Sequence, residues 1–120
     1  MQNYIQAAVL VMMFLSGCAS LKHPVAIDWE HGAKRGTITQ VFDATTPAEN
    51  LPACLARFSG DQLAAHRYVE LAYPHRRHHF REVGELPADV NATVGDQVEV
   101  YPKDCDAGVL STILRRLPPP

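Results

Sequence analysis

His66-Arg67-Tyr68-Val69-Glu70-Leu71-Ala72-Tyr73, then Pro74-His75-Arg76-Arg77-His78-His79, then Phe80-Arg81-Glu82-Val83, is the stretch whose reading decides the fold. Its first part alternates. Val69, Leu71 and Tyr73 point one way and Tyr68, Glu70 and Ala72 the other, as in a strand buried on one face. The charged middle reads as a turn, and the last part returns as the second arm of a hairpin.

The same grammar extends on both sides. Upstream, Lys34-Arg35-Gly36-Thr37-Ile38-Thr39-Gln40-Val41-Phe42-Asp43 is rich in β-branched and aromatic residues and ends at a turn cluster, Asp43-Ala44-Thr45-Thr46. Thr46-Pro47-Ala48-Glu49 predicts a capping box with proline at the first helical position, opening a short helical insert that Pro52 interrupts. Leu51, Leu55 and Phe58 fall on one face of the turns around Cys54, and residues 61–65 add at most one more turn. Downstream, 86–93 is a loop. Val94-Gly95-Asp96-Gln97-Val98-Glu99-Val100-Tyr101 is a Gly-Asp turn feeding a strand that buries Val98 and Val100. Residues 109–117 fit a helix (Leu110, Ile113, Leu114, Leu117) or a strand (Val109, Ser111, Ile113). The short loop before them favours an antiparallel return, hence a strand. Several short strands with one small insert predict a mainly β domain, a small antiparallel barrel or sandwich with one short helical insert, over 34–117. Residues 18–33, broken by Pro24 and Gly32, read as a tether on which Trp29 is expected to dock against the domain or sit at a membrane interface. Residues 118–120 are a proline tail.

The N-terminus carries a different message. The apolar block Ala7-Ala8-Val9-Leu10-Val11-Met12-Met13-Phe14-Leu15 is too short to span a bilayer, which takes about 20 apolar residues, and has the length of a signal-peptide core. It runs into Leu15-Ser16-Gly17-Cys18, which resembles the lipobox of bacterial lipoproteins. The resemblance implies that residues 1–17 are a signal peptide, cleaved before Cys18, whose thiol and new amine are acylated. Ala19, where an inner-membrane lipoprotein commonly has Asp, implies the outer membrane, with the domain facing the periplasm. The first six residues lack the Lys or Arg usual there. In an oxidising periplasm, Cys54 and Cys105 have only each other, so a disulfide is expected between them. A second resemblance rests on Gly36-Thr37-Ile38-x-x-Val41, Tyr68-Val69-Glu70-Leu71 and Val94-Gly95-Asp96-x-Val98-x-Val100. It is to the small β domain of glycine-zipper outer-membrane lipoproteins, here with the Cys54 insert in place of the zipper.

Net charge is −2, all carried after residue 17, which speaks against nucleic acid or a coat on anionic membranes as the partner. The conspicuous cluster is the hairpin tip. Arg76, Arg77 and Arg81 present guanidinium forks suited to phosphate or carboxylate, so the tip is expected to bind an envelope protein or lipopolysaccharide, unless it is a solvated turn guarding a strand edge. An open sheet edge is the other expected contact surface. Protonated histidines would strengthen an anionic contact below about pH 6.5. His75, His78 and His79 form the alternative, a metal or stress-sensing site. His78 and His79, as neighbours, face opposite sides of a strand, and no Cys-x-x-Cys spacing completes a zinc site. Ser59 and Ser111 lack a nucleophile's context, and the acids, Glu99 among them, have the spacing of solvent faces. No catalytic residue and no cofactor is expected. The function read from sequence is a lipid-anchored structural or adaptor protein.

Overall fold

The computed structural model describes residues 26–119; the signal peptide and the acylated Cys18 expected from sequence lie outside the described residues. Five strands make the fold: β1 (Lys34–Phe42), β2 (Arg67–His75), β3 (His78–Leu86), β4 (Gln97–Tyr101) and β5 (Ser111–Arg116). They close into a barrel in the order β1-β2-β3-β5-β4, with β3 paired to β5 only at Gly84 and Glu85, so that its outer edge from His78 to Val83 has no strand neighbour among the described residues. All neighbours are antiparallel except β3 and β5, which run parallel and pair only at Gly84–Ser111 and Glu85–Thr112. The mainly β barrel expected from sequence is the observed fold. The last segment is a strand, as its short approach loop required.

Alternation builds the interior. Ile38, Val69, Leu71, Leu86, Val98, Val100 and Ile113 pack together inside the barrel. Val90 and Ala92 join them from the β3–β4 loop, whose backbone is held where Arg67 donates to the Val90 carbonyl at 3.1 Å. Gly95, at φ +92°, makes the turn before β4 and donates to the Ile38 carbonyl at 2.8 Å, fixing that turn to β1.

The opposite face of the same strands is also covered, which the alternation of 66–73 did not predict. Tyr68 is as buried as Val69, because Phe42, Tyr68 and Val83 form a second cluster with Leu55, Leu63, Cys54 and Cys105. Leu51, Phe58 and Leu110 flank it, and the Phe58 ring meets Tyr68 edge-on at 5.4 Å. The insert between β1 and β2 is thus a cover laid on the barrel's outside. Its helix differs from expectation. Thr46 does not cap one; its hydroxyl accepts the Asp43 N–H, and only a 3-10 turn, Ala48–Asn50, follows. The reciprocal capping box forms instead at Ser59 and Gln62, opening α1 (Gly60–Ala65).

The Cys54–Cys105 disulfide forms, joining this cover to the β4–β5 loop across 51 residues of chain. Replacing both cysteines by serine is expected to cost about 4 kcal/mol on the chain-entropy estimate, read as a lowered denaturation midpoint without loss of the barrel signature in circular dichroism. At the β3–β5 seam, a Cβ on Gly84 would stand 2.8 Å from the Ser111 carbonyl oxygen. Backbone cannot swing aside as a side chain does. Gly84→Ala is therefore expected to destabilise by about 1–3 kcal/mol, and an unchanged midpoint would mean that the seam has slack.

Candidate functional site

Beyond the barrel wall, β2 and β3 continue together as a two-stranded ribbon. Tyr73 lies opposite Phe80, Pro74 opposite His79 and His75 opposite His78, while β1 is last registered with β2 at Thr37–Ala72 and β5 with β3 at Gly84–Ser111. The turn is therefore two residues, Arg76 and Arg77, rather than the six expected. Two-residue hairpin turns need positive φ at their first central position, normally supplied by Gly or Asn. Here Arg76 adopts it, at φ 57°.

One face of the ribbon is aromatic. The rings of Tyr73 and Phe80 stack at 5.8 Å, and His75 and His78 stand edge-on to Phe80 at 6.0 and 6.4 Å. Tyr73 is buried, which raises its hydroxyl pKa above 10.0, with the nearby Glu82 charge adding to the effect. Phe80 remains 42% exposed. Glu82, one of the acids assigned from sequence to solvent faces, has its pKa raised, first by burial and then by the Asp104 charge.

The structure separates the predicted site residues. Arg76 and Arg77 share the exposed tip and make no ion pair among the described residues. Arg81 is engaged, with its guanidinium 3.3 Å from Glu70. His75 and His78 sit together on the aromatic face, while His79 belongs to the other face by register. Among the described residues no three His, Cys, Asp or Glu side chains gather as a metal ion would require, so the metal set His75, His78 and His79 is not assembled. Both serines have structural partners. Ser59 caps α1, and the Ser111 hydroxyl accepts the Lys103 N–H and donates to the Lys103 carbonyl.

A second polar site went unread in the sequence. Glu99 is 2% exposed, not on a solvent face. It is buried because residues 26–33, part of the segment 18–33 read as a tether, strap the outside of β4 and β5. Glu99 Oε2 accepts the Asp28 N–H at 3.0 Å, and Oε1 meets the Arg115 guanidinium at 2.8 Å. Arg115 also donates to the Ala26 carbonyl at 2.8 Å, and the Tyr101 hydroxyl donates to Asp28 Oδ2 at 2.8 Å. The strap closes through a 3-10 turn, Trp29–His31, with Ala33 buried and its N–H on the Asp28 carbonyl. A carboxylate at a strand's outward position gave no sequence signal of a cover that arrives from 71 residues away.

Comparison with protein-family models, with curated proteins and with solved structures finds no match to this chain.

Hydrogen bonds to His31 first, then to Tyr101, hold the Asp28 carboxyl below its ordinary value of 3.8. A depressed carboxylate stabilises the folded strap above the ordinary range, and that contribution is lost as pH falls through the folded value. Amide hydrogen exchange over 28–33 is therefore expected to stay slow down to pH 3.8 and to quicken only below it. In His31→Ala, with the Asp28 carboxyl nearer its ordinary value, the quickening below pH 3.8 should be smaller; an equal one would remove His31 from the cause.

Proposed function

We propose that this chain is an outer-membrane-anchored periplasmic lipoprotein whose barrel holds out a cationic hairpin to an anionic envelope component. Leu15-Ser16-Gly17-Cys18 supports the anchor by its resemblance to a lipobox, Ala19 in place of Asp supports the outer membrane, and the disulfide is in keeping with an oxidising compartment. The observation that carries the binding role is Arg76. A non-glycine residue in the left-handed region costs roughly 1–2 kcal/mol, and such strain gathers at functional positions. Glycine would make the same turn without strain. Arginine there puts two adjacent guanidinium groups at the end of a projecting ribbon, free to fork onto phosphate or carboxylate. The stacked rings behind them stiffen the ribbon, so less rotamer freedom is lost on contact. The role is structural or adaptor-like, with no chemistry at the tip.

A photo-reactive residue at position 77 in intact cells, followed by mass spectrometry, is expected to capture one dominant lipopolysaccharide or protein adduct. Arg76→Gly separates binding from folding. It should raise stability by up to about 1 kcal/mol by relieving the turn, yet reduce capture severalfold. No adduct from a stably anchored protein, or capture undiminished in Arg76→Gly, would reject the tip as the binding site.

A further inference from the structure

Two exposed apolar side chains adjoin, in sequence, residues that meet at Glu99. Trp29 is 57% exposed, so of its two expected places, docked on the domain or at a membrane interface, it does not take the first, and Leu114 is 44% exposed. Trp29 follows Asp28, whose N–H is on Glu99 Oε2, and Leu114 precedes Arg115, whose guanidinium is on Oε1. Leu114 is the extra residue of a β-bulge, because Glu99 pairs with Arg115 and Val100 with Ile113, leaving it without a cross-strand partner. A bulge re-aims the strand locally, and here it presents leucine rather than a polar residue to the outside. The next two residues of β5 are cationic and about half exposed: Arg115, paired with Glu99, and Arg116, 3.5 Å from Asp96.

The chain leading into the strap says what covers it. Ala26, bonded to Arg115, is eight residues from Cys18, a reach of at most about 28 Å when fully extended. A linker this short holds a surface at an effective concentration on the order of millimolar near its target, so a contact too weak to bind alone is populated. An indole with one polar edge and a leucine beside arginines suit the headgroup boundary of a bilayer, where Trp is enriched and cations meet phosphate.

We infer that Trp29 and Leu114 seat the barrel on phospholipid: they enter the interfacial layer of the membrane that carries the anchor, with Arg115 and Arg116 at the level of its phosphates. This rests on the lipid-anchored reading above, with Cys18 acylated. The tip at Arg76 and Arg77 is then a separate contact.

Trp29 is the only tryptophan in the chain, so its fluorescence reports this contact directly. The full acylated protein would be reconstituted into vesicles of phosphatidylethanolamine and phosphatidylglycerol, with plain or brominated acyl chains. Emission is expected to fall by about half in the brominated vesicles, as for an indole seated at the interface, and to recover in part in Leu114→Gln. Equal emission in both vesicle types, with full quenching by aqueous acrylamide, overturns the seat. Mass spectrometry of the N-terminal peptide and flotation of the vesicles test the anchor separately. Acylated, floating protein without bromine quenching defeats the seat alone, whereas an unacylated Cys18 defeats both readings.

Discussion

Closure of the barrel depends on one narrow seam, because β3 and β5 are registered at only two positions and run parallel there. Gly84 lets the Ser111 carbonyl come where a Cβ would stand. Ser111 itself is buried and ties its hydroxyl to both backbone groups of Lys103, so the β4–β5 loop arrives at the seam already shaped. The disulfide holds the same loop from its other side. Were the seam to open, β3 and β5 would expose unpaired backbone, the usual route by which small sheets associate wrongly. Closing it removes that hazard and lets β3 extend past the wall with only β2 for company, which is how the ribbon comes to project.

A five-stranded barrel of short strands encloses little volume. This one gains a second hydrophobic cluster by covering part of its outside. The insert and Cys105 bury Phe42, Tyr68 and Val83, while the strap buries Ala33 and Glu99 against β4 and β5. The two covers differ in kind. One is apolar and covalently fastened; the other is held by the Glu99 carboxylate, which accepts the Asp28 N–H of the strap and meets Arg115 of β5. A hydrogen bond to a charged group contributes about 1.5–3 kcal/mol, and the strap has two, from the Asp28 N–H to Glu99 and from the Tyr101 hydroxyl to Asp28.

Sequence legibility followed the range of the forces involved. The alternation of Val69, Leu71 and Tyr73, the return at Phe80 and the burial of Val98 and Val100 are local consequences of a two-residue period, and all were readable. The pairing of Cys54 with Cys105 was readable by number alone once a compartment was inferred. What failed depended on partners distant in sequence. Tyr68 and Glu99 stand at positions that an isolated strand gives to solvent, and only covers arriving from elsewhere bury them. Thr46 matched a capping pattern as well as Ser59 does, but Pro52 leaves too little chain for a helix behind Thr46, whereas six uninterrupted residues follow Ser59. At the tip, arginine in a left-handed turn contradicts local preference, so a longer turn was the natural reading. That conflict is the observation on which the proposed binding role of the tip rests.

The two-residue turn also bears on how the fold assembles in time. Contacts between β2 and β3 close the shortest loop in the sheet, and hairpins of this kind form in about 1–10 microseconds. Pairing of β1 with β4 brings together residues as far apart as Lys34 and Val100, 66 positions along the chain, and loop-closure entropy delays such contacts. The ribbon that carries Arg76 and Arg77 is therefore an early template on which β1 docks from one side. The seam with β5, the disulfide and the strap come after. In a chain emerging N-terminus first, Cys54 can pair only once Cys105 has followed it, 51 residues later and ahead of β5, so the disulfide fastens the insert after β1 to β4 have been laid down.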